Sequence, residues 1–189
     1  MNNSKQCRMG KDSVNPVYSR PVMEFLTVAT QYCGMLEQCQ KQSRDELLDS
    51  LLRILPVLYW NAQVLPAMET MGQFLPDDQV TEADYEYVRG NARALLDDWD
   101  EYEDLVLDEA SGRDECQWVS LSEKLADVYQ PLRNFVWVYQ QRLEQCMQDA
   151  LWAVRDSFEL YWGQNLVDTL RRLHHLKYAL DKERNEDDI

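Results

Sequence analysis

The side chains best able to do chemistry in this 189-residue sequence are its carboxylates and its two histidines. His174 and His175 are consecutive, so on a helix they point about 100° apart and do not converge on one metal ion. Carboxylates three residues apart, such as Glu46 and Asp49, have the spacing that helical nucleotide pyrophosphatases use to hold magnesium. In an acidic chain the same spacing arises on any helix face that points to water. We find no glycine-rich phosphate loop, nucleophile elbow or deaminase motif, so the sequence predicts no catalytic residue, no metal site and no cofactor.

An acidic run at residues 97–109 holds eight carboxylates in thirteen positions. Counted from Asp98, it resembles a calcium loop until the sixth position, where the sharp turn needs glycine and Glu103 stands instead. The run is therefore not predicted to form a calcium loop, and loose binding of a cation stays open. Trp99 and Tyr102 lie within the run, and such rings either anchor a partner protein or fold back onto the core.

The charge of the chain restricts its partners. The formal charge is -15, from 34 acidic and 19 basic residues, and it repels nucleic-acid phosphates and anionic membrane surfaces. Residues 1–20 carry a balance of +3, which leaves -18 on the rest. We expect no nucleic-acid or membrane partner, and we expect a basic protein segment, or the N-terminal arm itself, to complement the acidic run.

Nothing in the sequence is expected to enter a membrane. The longest uncharged run, between Arg53 and Glu69, has 15 residues, whereas a spanning helix needs about 20. The N-terminus has no apolar stretch typical of a signal peptide. The five cysteines are odd in number and have no C-x-x-C spacing, which indicates reduced thiols. We therefore predict a cytoplasmic protein.

Apolar residues recur at helical spacing along most of the chain. Helices are predicted from Pro21, from a capping box at Ser43 as far as about Met68, from a cap at Thr81, and from a second capping box at Ser120. These four helices, together with the C-terminal helical segment that follows them, must position any site that the chain carries.

From Met147 to Leu180, apolar residues recur at helical spacing without a change of register at Gly163. This pattern predicts either one long helix with a weak point at Gly163 or two collinear helices. No strand-like alternation of useful length is present. The prediction is an all-α, single-domain bundle of five to six helices with long central and C-terminal helices. It divides into a flexible basic arm, a helical bundle and a charged flexible tail, at residues 1–20, 21–180 and 181–189.

Two tryptophans fall outside the main apolar faces of their helices. Trp60 lies on the narrow polar stripe of the second helix, and Trp137 lies roughly opposite the apolar seam of the fourth. Such rings mark a second packing surface, which another helix of the bundle or another subunit covers. Together with Trp99 and Tyr102, they form the candidate partner surface.

Four segments in order carry a resemblance: F-L-T-V-A-x-x-Y-C at 25–33, I-L-P-V-L-Y at 54–59, S-L-S-E-K-L-A-D-V-Y at 120–129, and Y-W-G-Q-N-L-V at 161–167 running into L-R-R-L-H at 170–174. On these segments the chain resembles a bacterial family, found in Bacteroides-like species among others, that is known only as a domain of unknown function. The resemblance spans about residues 21–180. It implies an all-helical cytoplasmic protein and supplies no activity, cofactor or catalytic residue.

Polar and aromatic residues within those segments make a candidate groove. Asp127, Tyr129, Trp162 and His174 would line one groove if the fourth and last helices packed antiparallel. In that case, replacing Asp127 or His174 with Ala would cost ligand or partner binding more than stability. The alternative is that these groups are hydrogen-bonded between helices for structural reasons.

The sequence favours a non-enzymatic protein-interaction or regulatory module, which binds a protein partner or associates with itself. The alternative is an unrecognised metal-dependent hydrolase with carboxylates from the first, second and fourth helices. A deep polar pocket at Asp127 and His174 would favour the enzyme. A large apolar patch around Trp60 or Trp137 would favour the interaction module.

Overall fold

The computed structural model describes residues 15–72, 79–108 and 112–179. Within these residues the chain forms six α-helices and one antiparallel β-hairpin. The helices are α1 (Arg20–Glu37), α2 (Arg44–Gln63), α3 (Glu82–Leu96), α4 (Leu121–Gln140), α5 (Glu144–Ser157) and α6 (Gly163–Tyr178). The strands are β1 (Glu101–Asp108) and β2 (Arg113–Ser120), and a π-helical turn (Phe158–Trp162) joins α5 to α6. The predicted all-α bundle is confirmed, with the small hairpin added to it.

The ends of the predicted domain need one correction. Residues 1–14 of the predicted arm and residues 181–189 of the predicted tail lie outside the described residues. The last part of the arm is folded onto the bundle. A short 3₁₀ turn at Pro16–Tyr18 buries Val17, whose carbonyl accepts a 3.0 Å hydrogen bond from the Tyr139 hydroxyl. The bundle therefore begins before residue 20.

Short-range signals set the starts of three helices. The side chains of Ser43, Thr81 and Ser120 each accept a hydrogen bond from the backbone N–H three residues on, as predicted for N-caps. At Ser43 and Thr81, the carboxylate three residues on, of Glu46 and Asp84 respectively, accepts a hydrogen bond from the backbone N–H of the cap residue. This second bond completes a capping box. At the third, the buried Asp100 carboxylate supplies the second cap by accepting a 2.7 Å bond from the backbone N–H of Ser122.

Helix α2 ends earlier than predicted. It stops at Gln63 rather than near Met68, because Leu65 precedes Pro66 and a residue before proline disfavours the helical conformation. The chain then follows α5 without regular secondary structure, and the Thr70 hydroxyl and the Met71 backbone N–H both donate to the buried Asp149 of α5.

The core lies where α1, α2, α4 and α6 meet. The ring of Phe25 packs against Phe135 at 5.2 Å and against Trp162 at 6.4 Å between centroids. The buried hydroxyl of Tyr32 donates to the carbonyl of Leu125 at 2.9 Å, so α1 and α4 are also joined by a hydrogen bond. Helices α3 and α5 pack on α4 from outside this group.

The prediction that no strand is present is wrong for residues 101–120. Strands β1 and β2 pair from Glu101 opposite Ser120 to Asp108 opposite Arg113. The strands gave no alternation signal because the inward face of β1 carries Asp104 and its outward face carries Leu105. The buried Asp104 carboxylate is neutralised by Arg171 of α6, which reaches over from the bundle.

The helical backbone continues without a break from α5 through the π-helical turn into α6, which begins at Gly163. The N–H of Gly163 donates to the carbonyl of Phe158, five residues earlier. A Cβ at this position would lie 2.5 Å from that carbonyl oxygen, so the turn requires glycine. None of the helices in the three described stretches combines the length and apolar character needed to cross a bilayer.

Candidate functional site

The four residues of the predicted groove lie in different environments. Trp162 is fully buried and donates to the carbonyl of Val154 at 2.9 Å, while His174 is exposed on α6. Tyr129 is buried and donates to Glu37 of α1 at 3.0 Å. The structure therefore does not bring these groups together, because burial holds Trp162 in the core and His174 points to another face of the bundle.

Asp127 is the centre of a separate polar cluster between α3, α4 and α6. Its carboxylate accepts hydrogen bonds from the hydroxyls of Tyr85 at 2.8 Å and Tyr161 at 2.6 Å, and from the amide of Asn165 at 3.2 Å. Burial and the bond to the carboxylate raise the pKa of Tyr85, and the same two causes raise that of Tyr161 to about 12. Both hydroxyls thus stay protonated at neutral pH and serve as donors. The cluster ties three helices together.

The structure removes Trp99 and Tyr102 from the candidate partner surface. Both rings are buried, each beneath an arginine: the Arg44 guanidinium lies 3.9 Å from the centroid of Trp99 and Arg172 lies 4.5 Å from that of Tyr102. The two rings fold back onto the bundle because cation–π contact and burial are both available there.

The acidic run is also used within the chain. Asp98 pairs with Arg44, Glu101 pairs with Arg93, and Asp104 pairs with Arg171. Arginines of the chain itself therefore neutralise part of the acidic run for which the sequence suggested a basic partner.

Trp60, by contrast, is exposed to 68% of its surface and belongs to a group of exposed apolar side chains on two adjacent helices. We call this group the α2/α6 face. Its members expose between 41% and 78% of their surface and are Val57 and Trp60 on α2, Val64 just after α2, Leu160 in the π-helical turn, and Val167 and Tyr178 on α6.

A groove runs along the α2/α6 face. Helices α2 and α6 are antiparallel, since Asp49 pairs with Lys177 at 2.8 Å at one end and Tyr59 meets Phe158 at 5.2 Å between ring centroids at the other. The groove has a volume of about 670 Å³ and lies open to solvent. Its wall is largely apolar and is formed by Leu52, Pro56, Val167, Leu170, Arg171, His174 and Tyr178.

A second, smaller exposed apolar group lies on the outward face of the hairpin. Leu105 and Trp118 expose 68% and 71% of their surface, and the exposed Cys116 is the cross-strand partner of Leu105. This group is on the two-stranded sheet, whereas the α2/α6 face borders a groove through Val167 and Tyr178.

Residues 16–179 match a protein family described as a domain of unknown function (DUF5063). The chain belongs to this family. The crystal structure of protein BF1032 from Bacteroides fragilis is similar to this chain over 87% of its length and 96% of that protein, with 36% sequence identity and a TM-score of 0.77. No match was found among the curated proteins compared.

The DUF5063 match covers every helix of the bundle, so the α2/α6 face lies wholly within the family domain. The resemblance read from the sequence is thereby confirmed, as a family without an assigned activity. The Bacteroides fragilis protein shares the fold.

Sequence reasoning found Trp60 but missed most of its neighbours. Val57 and Val64 lie three residues before and four residues after Trp60, a helical spacing that could have identified the stripe. Val167 and Tyr178 were not distinguishable from ordinary surface residues of the last helix. Leu160 gave no signal, because its exposure depends on the π-helical turn that no periodicity revealed.

Proposed function

We propose that this DUF5063 protein is a non-enzymatic docking module that binds an amphipathic helix of a partner protein along the α2/α6 face. The observation that carries this proposal is the exposure of six large apolar side chains on one pair of antiparallel helices and their ends, beside a groove that two of them, Val167 and Tyr178, line. Exposed apolar groups of this kind are normally scattered singly, and contiguous ones mark sites of protein contact.

The spacing of the apolar side chains on the α2/α6 face suits the binding of an amphipathic helix. Val57 and Trp60 lie in one stripe on α2, which Val64 continues just past the helix end, and Val167 and Tyr178 lie in one stripe on α6. A helix that lies in the groove between the two stripes would present apolar residues at positions i, i+3, i+4 and i+7. Trp60 suits the role of a central anchor, since tryptophan is enriched among the residues that dominate binding energy.

The exposed charges beside the groove favour an acidic flank on the partner helix. Arg53 is exposed on α2, and the side chain of Arg171 in the groove wall is 65% exposed although it pairs with Asp104. The nearby carboxylate of Asp49 is already paired, and its hydrogen bond with Lys177 lowers its pKa. Complementary charge would fix the direction in which the partner helix lies.

The test is site-specific photocrosslinking in the native cell, with the photoreactive amino acid benzoylphenylalanine in place of Trp60. The matched control places it at Met23, an exposed apolar position on α1, and a third version places it at Trp118 of the hairpin. We expect a protein adduct through position 60 that maps to an amphipathic helix, and no such adduct through position 23.

Three results would overturn the proposal. Equal adducts through positions 60 and 23 would mean that the face has no special role. An adduct through position 118 alone would move the docking surface to the hairpin. An adduct with the mass of two copies would replace the partner helix with a second copy of the chain.

The alternative of a metal-dependent hydrolase has no geometric support in the described residues. Within residues 15–72, 79–108 and 112–179, no three His, Cys, Asp or Glu side chains are arranged to hold one metal ion.

We place the docking function in the cytoplasm, which the free thiols of Cys33, Cys39, Cys116 and Cys146 support.

A further inference from the structure

A cavity of about 330 Å³ lies between α1, α3 and α4, away from the α2/α6 face. Its size is at the lower end of the range of about 300–1,000 Å³ that is typical of small-ligand pockets. The residues that decide its chemistry are two carboxylates, one arginine and three aromatic rings: Glu37, Asp84, Arg133, Tyr87, Tyr129 and Trp137. We call it the α1/α3/α4 cavity.

Each carboxylate uses one oxygen for bonds within the chain. The Oε1 atom of Glu37 accepts from the Tyr129 hydroxyl at 3.0 Å and contacts Arg133 Nε at 3.0 Å. The Oδ2 atom of Asp84 accepts from the backbone N–H and the hydroxyl of Thr81, at 3.1 and 2.7 Å. The second oxygen of each carboxylate takes no part in these bonds, and both carboxylates line the cavity.

The charges of the cavity do not cancel. Arg133 is matched by Glu37, which leaves the charge of Asp84 as an excess of one negative charge. The hydrogen bonds from Thr81 lower the pKa of Asp84, so this carboxylate is ionised at neutral pH. The formal charge of -15 on the whole chain raises the local concentration of cations further.

The aromatic rings supply the apolar part of the wall. Tyr87 exposes 54% of its surface at the rim, Trp137 is half-buried, and Tyr129 is buried behind them. Ring faces attract cations, most strongly when the cation leaves water, and sites for organic cations combine such rings with carboxylates. An organic cation with a short aliphatic stem would satisfy both the carboxylate oxygens and the rings.

We propose that the α1/α3/α4 cavity binds a small organic cation, an alkylammonium or alkylguanidinium group. This site is independent of the docking function, because it uses residues of α1, α3 and α4 and none of the α2/α6 face. The cation belongs either to a free small molecule or to a Lys or Arg side chain, since both present the same chemistry.

The experiment is an NMR titration of the full chain with n-butylguanidinium, followed at the indole N–H of Trp137, which the spectrum of Trp137→Phe assigns. Matched probes are n-butanol, which lacks the charge, and butyrate, which reverses it. A parallel titration with the blocked tripeptide acetyl-Gly-Arg-Gly-amide distinguishes the sources. Tighter binding of the tripeptide assigns the cation to a protein side chain, and tighter binding of butylguanidinium assigns it to a free molecule.

Two isosteric substitutions on α3 make the test specific. Asp84→Asn removes the charge but keeps an acceptor for the cap, and we expect it to weaken butylguanidinium binding about tenfold, which corresponds to about 1.4 kcal/mol. Glu86→Gln removes a charge two residues away, outside the cavity, and should change the affinity less than about twofold. The proposal is wrong if the two variants behave alike, if butanol binds as tightly as butylguanidinium, or if butyrate is the preferred probe.

Discussion

Replacing Gly163 with Ala tests the most unusual piece of backbone in the fold. An added methyl group would lie 2.5 Å from the carbonyl oxygen of Phe158 and 2.9 Å from its ring. Both neighbours belong to the π-helical turn, and the carbonyl accepts the N–H of Gly163 itself. The methyl group therefore cannot fit unless the turn opens or reverts to α-helical register.

The magnitude follows from two opposing effects. In an ordinary helix, Gly→Ala stabilises by about 0.5–1 kcal/mol because the unfolded chain loses freedom. Here the close contact costs about 1–3 kcal/mol, as overpacking does in other cores, and opening the turn also loses a hydrogen bond worth about 1 kcal/mol. We expect a net loss of about 1–3 kcal/mol, or a fall in melting temperature of about 3–10 °C for a chain of this size.

Two other helical glycines provide matched controls. Gly34 on α1 and Gly90 on α3 have no neighbouring atom within 4 Å of an added Cβ, so Ala at either position should stabilise the protein. Urea unfolding of the three variants measures the three changes in free energy directly. If Gly163→Ala stabilises as Gly34→Ala and Gly90→Ala do, the π-helical turn does not constrain this residue and the steric reasoning is refuted.

Two further predictions concern tyrosines. The hydroxyl of Tyr102 is buried without a hydrogen-bond partner among the described residues. Tyr102→Phe should therefore raise the free energy of unfolding, measured by urea titration, by about 1 kcal/mol. A loss of stability would show that the hydroxyl does have a hydrogen-bond partner. The pKa of Tyr161 is raised from 10.0 to about 12 by burial and by its bond to Asp127, so its contribution is present below about pH 10 and is lost as the pH rises towards 12. The melting temperature of Tyr161→Phe should therefore fall less between pH 9 and pH 12 than that of the wild type, and parallel curves would contradict this reasoning.

Local patterns predicted most of the helices because each depends on residues close in sequence. The caps at Ser43 and Thr81 act across three residues, and the apolar stripe that buries Phe25 has a clear helical period. The hairpin could not be predicted in this way. Its inward face is stabilised by arginines of α6, which lie far along the chain. The sequence around Asp104 therefore predicts a surface residue, although the fold buries it.

The candidate site was only partly predictable for the same physical reason. Trp60 was identified because it is a large apolar residue on the polar stripe of its own helix. The structure places Asp127, Tyr129, Trp162 and His174 in different environments, because helical periodicity does not determine which neighbour each helix face meets. Which apolar residues remain exposed depends on the packing of α2 against α6, and this packing is a tertiary property.

The docking function is tested most directly by the affinity of the partner protein captured through position 60. Val57→Glu combined with Val167→Glu places two carboxylates in the α2/α6 face, and Met23→Glu is the control on α1. All three side chains are exposed, so the variants should fold. We expect the double variant to weaken the complex at least about tenfold and the control to leave the affinity unchanged, as measured by calorimetry. An unchanged affinity in the double variant would show that the α2/α6 face does not bind the partner.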